Sequence, residues 1–261
     1  VRIVPESHKS IALSMIVTGS SIAMILGLPL GRVIGLSVGW RMTFLSIGAV
    51  ALVVFLYLFT LLPKVSSGGG MTAHDLPAML KNKILIGIFI TTAAFATGYY
   101  TAYSYIEPFL QQVGNMTENQ ITLTLMLFGG AGIIGSMLFS KYFPKYRFKF
   151  INVTLIGLIS GVVLLLPSAF SVPVTIAVCT IIGMSATAFN VAMQSEIITD
   201  TPAAQTSVAM SIFSGIFNFG IGTGALIGGL VCSHLSISFI GIAGGLIVLT
   251  ALAYWTFIVV R

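Results

Sequence analysis

Apolar residues run along this chain in blocks of roughly 20, separated by short polar turns. A helix of that length, rising about 1.5 Å per residue, crosses the roughly 30 Å hydrocarbon core of a bilayer. The pattern predicts eight spans, at 11–37, 42–62, 83–107, 119–140, 149–168, 173–195, 206–232 and 236–259. Within lipid each must be a helix, because only a helix satisfies its own backbone polar groups in a single segment. The alternating segments of about 10 residues that build a membrane β-barrel are missing from the pattern. The expected fold class is therefore all-α, a polytopic membrane protein.

Composition sharpens this. The chain is 57% hydrophobic and only 7% charged, against about 25% charged in soluble domains, so its main solvent must be the bilayer. The net charge of +6 sits in the turns. It does not form the basic stripe that a nucleic-acid site requires, so nucleic acid is excluded as a partner. Cys179 and Cys232 lie in apolar segments and read as inert small side chains rather than a disulfide.

The turns differ in charge. Arg2 and Lys9, then Lys64, Lys81 and Lys83, then Lys141, Lys145, Arg147 and Lys149, and finally Arg261 fall on one side. The opposite turns hold Arg41, "EPFLQQVGNMTENQ", "PSAFSVP" and "SHLS". The positive-inside rule makes the first group cytoplasmic, and with it both ends of the chain. The longest connection, 63–82, contains "SSGGG" and reads as a flexible cytoplasmic linker. It divides a first bundle, 1–62, from a second, 83–261.

An internal repeat suggests what the bundles are. Ser10, Ala12, Ser14, Gly27 and Gly31 match Ser207, Ala209, Ser211, Gly224 and Gly228 at a constant offset of 197. That offset contains six spans, so the repeating unit is a six-helix bundle. The first bundle then holds only the last two spans of its unit. Four more, roughly 120–140 residues, are expected before them.

Parallel six-helix repeats describe the two halves of major facilitator transporters. The stretch "GSSIAMILGLPLGRVIGLSVGWRMTF" resembles the fifth-helix signature of the twelve-span drug:proton antiporter branch of that superfamily, with Gly19, Gly27, Pro29, Gly31 and Gly35 as its skeleton. Together with "YSYIEPFLQQVG" and "FNFGIGTGALIGG" it looks most like the bacterial sugar-efflux and chloramphenicol-resistance subgroup. The resemblance implies a bacterial inner-membrane protein, a monomer when full length, that moves a small solute and protons without a cofactor. Two departures stand out. Pro29 is one residue from its usual place, and Arg32 replaces the first of two paired glycines. The loop "GSMLFSKYFPKYRFK" has Ser140 and Phe143 where the family's basic gating motif has aspartate and glycine, so no gating ion pair is expected there.

Helical spacing then selects candidate cavity residues. Tyr99, Tyr103 and Glu107 recur every fourth residue on the third span. Glu107, an ionisable group at membrane depth, is the candidate proton carrier. Asn190 and Gln194 share a face of the sixth span, and Ser207, Ser211, Ser214 and Asn218 share one on the seventh. Glu196 and Asp200 are expected at the cytoplasmic surface, paired with loop cations. Gly27-x3-Gly31 and Gly224-x3-Gly228 are small-x3-small patterns that let helices approach closely. His8, His74 and His234 stand apart and lack metal-ligand spacing, and no metal site is expected.

A membrane enzyme would need a nucleophile elbow, an H-E-x-x-H signature or paired intramembrane aspartates, and none occurs. The expected function is export of a small organic solute, sugar or drug-like, by proton antiport with alternating access. Proton-coupled import is the alternative within transport. A fragment that transports nothing by itself is the alternative outside it.

Overall fold

A computed structural model describes residues 30–61 and 81–259, together with Ala23 and Gly27. The chain divides into two compact units, residues 1–70 and 71–261, and each is taken by itself.

In the first unit, residues 30–38 are helical and α1 spans Trp40–Leu61. Between them Gly39 has φ +93°, a left-handed conformation that closes a helix readily only when no Cβ is present. Its amide donates to the Gly35 carbonyl at 3.1 Å. Thr43 of α1 then turns back and donates its hydroxyl to the Gly31 carbonyl at 3.2 Å. No residue of α1 is buried. A helix apolar on every face has lipid as its natural surroundings. The greater part of the first expected span, with Gly19 and Pro29, lies outside the described residues, as does most of the expected linker.

The second unit contains α2 (Lys83–Tyr103), α3 (Ile106–Gln112), α4 (Glu118–Ser168), α5 (Val172–Asp200), α6 (Ala203–His234) and α7 (Ile240–Tyr254). A 3-10 turn at Ile237–Phe239 leads into α7 and a π-helical turn at Trp255–Val259 follows it. Local chemistry sets several boundaries. The Asn82 side chain accepts from the amides of Ile84 and Leu85 to start α2. Thr117 and Gln120 form a reciprocal capping box that starts α4.

Two expected boundaries are corrected. The span expected at 83–107 stops at Tyr103, and Glu107 belongs to the separate short α3. Pro108 explains the break, because its ring would clash with the carbonyl four residues earlier, that of Ser104. The loop expected between 140 and 149 is instead helical on both sides of Tyr146, which alone leaves helical geometry (φ −128°, ψ 37°).

The chain reverses at Tyr146. In a straight helix Gly132 and Gly157 would stand about 37 Å apart. Both instead press on neighbouring residues of α5, Gly132 on Thr187 and Gly157 on Ser185. The rings of Phe143 and Phe150 likewise meet at 5.9 Å. α4 is therefore two limbs, 118–145 and 147–168, and supplies two membrane crossings.

Packing pairs give the topology. Gly220, Gly224 and Gly228 of α6 meet successive turns of α2 in the same order, so these helices are parallel. Gly98 meets Gly244 and Val248 while Gly87 meets Val259, so α7 is antiparallel to α2. α5 runs parallel to the first limb of α4 and antiparallel to the second, judged from Phe128–Gly183, Gly132–Thr187, Gly157–Ser185 and Gly161–Ile182. The result is an up-and-down bundle of six crossings. Its core holds Phe95, Phe109, Phe189 and Trp255.

All described lysines and arginines of this unit gather at one end. Asn82 Nδ2 donates to the Asp200 carbonyl at 3.2 Å, and Arg147 reaches Asp200 at 3.0 Å. The start of α2, the Tyr146 reversal and the end of α5 therefore share that end. Lys81, Lys83, Lys141, Lys145, Arg147 and Lys149 lie there, and the opposite turns, 104–117, 169–171 and 235–236, carry none.

Candidate functional site

A cavity of about 250 Å³ opens between α5 and α6, lined by Asn190, Gln194, Met210, Phe213, Ser214 and Phe217. Asn190 and Gln194 are one helical turn apart, and Gln194 Nε2 donates to Asn190 Oδ1. That bond leaves hydrogens on Asn190 Nδ2 and lone pairs on Gln194 Oε1, so the pair offers a donor and an acceptor side by side. Phe213 and Phe217, with ring centroids 6.1 Å apart, form the apolar wall. A second cleft, about 330 Å³, is lined by Phe89, Ile90, Ala93, Gly215, Ile216 and Phe219. Its side chains offer no hydrogen bond to orient a solute.

The polar face of α6 divides. Ser214 lines the cavity. Ser207, Ser211 and Asn218 are exposed on the helix. Ser211 bonds the Ser207 carbonyl at 2.9 Å, and Asn218 the Ser214 carbonyl at 2.8 Å. Asn218 is not among the residues lining the cavity.

Tyr99 and Tyr103 sit elsewhere too, in an aromatic cluster. Tyr99 is only 5% exposed and stacks on Phe95 at 5.8 Å and on Tyr103 at 5.1 Å. Tyr103 reaches Phe128 at 5.3 Å, and Phe95 stacks on Phe189 at 3.9 Å. Phe217 joins this cluster to the cavity, because its ring stands 6.0 Å from Tyr100 and 6.5 Å from Phe95. Glu107 is half-buried in the first turn of α3, beyond the helix that carries the tyrosines.

The repeated glycines have different neighbours. A Cβ on Gly224 would fall on the Thr97 carbonyl oxygen, and one on Gly228 would lie 2.5 Å from that of Thr101. Thr97 of α2 meets Thr223 of α6 at 3.1 Å, and Tyr105, between α2 and α3, donates its hydroxyl to the Ala225 carbonyl of α6 at 3.0 Å. At Gly31 and Gly35 a Cβ would meet Thr43 at 3.6 and 3.5 Å, ordinary contact distances. Gly27 has no described neighbour within 4 Å of such a Cβ.

At the basic end, Arg147 binds Glu196 through Nε and Nη2, and Nη2 also reaches Asp200. Glu196 has 0% side-chain exposure against 35% for Arg147. The expected pairing of Glu196 and Asp200 with a loop cation is therefore present, but Glu196 is buried rather than at the surface where it was expected, because the guanidinium of Arg147 compensates its charge. The familiar motif positions Ser140 and Phe143 are indeed uncharged, but the cation comes from Arg147 and the anions from the last turn of α5. Glu196 and Asp200 stand one helical turn apart, and that i, i+4 spacing was the available signal. Met210, Phe213 and Phe217 were missed because apolar residues at helical spacing also describe an ordinary buried face.

The model of one known family, the Major Facilitator Superfamily, matches residues 1–209 of this chain.

Proposed function

This chain belongs to the Major Facilitator Superfamily of membrane transporters, and from that premise we propose that it exports a small organic solute by proton antiport with alternating access. The observation that carries the reading is the amide pair Asn190–Gln194 beside Ser214 and the Phe213–Phe217 wall, in a cavity set into a bundle of membrane-length helices. Membrane transporters bind solute among such helices near the midplane. An amide donor and acceptor beside two aromatic rings suit a sugar hydroxyl pair or a drug-like amide, which are the solutes implied by the resemblance to the sugar-efflux and chloramphenicol-resistance subgroup.

In this reading Glu107, the half-buried carboxylate of α3 beyond the end of α2, carries the exchanged proton. Tyr99, Tyr103 and Asn218 border the pathway outside the cavity itself. The glycines Gly19, Gly27, Gly31, Gly35, Gly224 and Gly228, with Pro29, shape the helix surfaces that move. The bacterial inner membrane, with the basic end of the second unit facing the cytoplasm, is the proposed location.

Inverted membrane vesicles from cells overproducing the protein test this. With an acid interior they should accumulate labelled sugars or amphiphilic drugs from a screening panel, and collapse of the pH gradient should abolish it. Accumulation indifferent to the gradient would remove antiport. Accumulation only under the opposite gradient would point to import.

A further inference from the structure

The reversal at Tyr146 carries a chemistry that the transport reading leaves unused. Its sequence, "KYFPKYRFK", repeats a Lys-Tyr pair one helical turn apart. Lys141, Lys145 and Lys149 are exposed, and so are Tyr142 and Tyr146, at 40% and 44%. Phe143 and Phe150 face inward and are buried. Each of the first two lysines stands over the ring that follows it, Lys141 Nζ 5.2 Å from the Tyr142 centroid and Lys145 Nζ 5.3 Å from Tyr146. The nearby carboxylates do not serve them. Among the described carboxylates, Glu196 and Asp200 are held by Arg147.

Depth places this patch. From Glu118 to Lys145 the first limb of α4 rises about 42 Å, matching the 40–45 Å of a bilayer with its headgroups. The second limb, 147–168, rises about 33 Å, close to the hydrocarbon core alone. The turn between them thus lies at headgroup level, where lysine side chains reach phosphate and tyrosine rings are favoured.

We propose that this turn is a binding site for the headgroup of an anionic phospholipid. Lys141, Lys145 and Lys149 supply the charge, and Tyr142 and Tyr146 seat the turn in the interface. Three exposed ammonium groups within nine residues of chain, with no carboxylate partner among the described residues, complement a phosphate-bearing headgroup of net negative charge, and a zwitterionic headgroup much less.

The test uses the whole chain reconstituted in phosphatidylcholine vesicles that contain a small fraction of spin-labelled phosphatidylglycerol. The protein should hold the anionic label in its motionally restricted shell several-fold over spin-labelled phosphatidylcholine. Lys141→Gln, Lys145→Gln and Lys149→Gln combined should reduce that preference about five-fold or more, while the three Lys→Arg changes should retain it. Should the triple Gln variant fail to fold, Lys145→Gln alone, compared with Lys145→Arg, must show a smaller loss in the same direction. An unchanged preference in the Gln variants would overturn the proposal, as would equal retention of both lipids by the unaltered protein. Displacement of the label by excess inorganic phosphate at constant ionic strength would reassign the site to a free anion and also overturn it.

Discussion

Arg147, the first residue after the chain reverses at Tyr146, holds the fully buried Glu196 through two guanidinium nitrogens. The contact joins the hinge of α4 to the last turns of α5, and Asp200 adds a second acceptor at 3.0 Å. Bidentate, charge-assisted bonds of this kind are directional as well as strong. Removing one partner leaves the other charge unpaired, and the cost is largest for the buried one.

Arg147→Ala should therefore destabilise the purified protein by about 2–3 kcal/mol, a figure set below the full buried-pair range because the arginine is partly exposed. Glu196→Gln, which keeps shape and one acceptor, should cost less. In thermal unfolding the double variant should be more stable than the sum of the single changes predicts. Additive losses would show that the two side chains do not depend on each other.

The glycine stripe of α6 makes a sharper demand. Gly224→Ala places a methyl group on the Thr97 carbonyl and should cost about 1–3 kcal/mol by forcing α2 and α6 apart. Gly222→Ala, with nothing within 4 Å of its Cβ, should be neutral or stabilise by up to about 1 kcal/mol through helix propensity. Equal thermal stability of the two variants would refute the close approach.

If the α5–α6 cavity binds solute, Asn190→Ala and Gln194→Ala should each lower transport about ten-fold, the scale of one lost hydrogen bond to a bound ligand. Folding should be little affected, since both side chains are only half-buried. Ser211→Ala is the control, because that hydroxyl already bonds the Ser207 carbonyl of its own helix. The measurement is uptake into inverted vesicles at matched protein content.

Glu107→Gln separates coupling from binding. It should abolish accumulation driven by a pH gradient yet leave downhill solute movement within about two-fold of the unaltered protein, as expected when a proton carrier rather than a solute contact is lost. Loss of both activities together would place Glu107 in folding or solute binding instead.

Much of the architecture was legible in the sequence because a bilayer imposes one simple rule on every segment. Blocks of about 20 apolar residues had to become helices, and α1, α2, α5, α6 and α7 lie within a few residues of the expected spans. Where boundaries moved, proline or the bundle intervened. Pro108 cut Glu107 away from Tyr99 and Tyr103, and close packing on α5 let α4 reverse at one residue where a polar loop was expected.

The candidate site was less legible. Helical spacing correctly placed Asn190 beside Gln194, because four residues along one helix is a local relation. It could not tell that Tyr99 faces Phe95 and Tyr103 in a packed cluster, or that Phe213 and Phe217 wall the cavity. Periodicity names a face of a helix, and the neighbour across that face comes from elsewhere in the chain.

By itself, then, the sequence determined the solvent, the class of secondary structure, the repeated glycines and the collection of basic residues between alternate spans. All of these follow from the energetics of single segments in lipid. Only the tertiary structure decided that Gly224 and Gly228 serve the contact with α2, that Arg147 finds Glu196, and that the lysines at Tyr146 are left facing outward. Those are relations between segments far apart in the chain, and they are chosen by packing and by the pairing of buried charge, which no single segment contains.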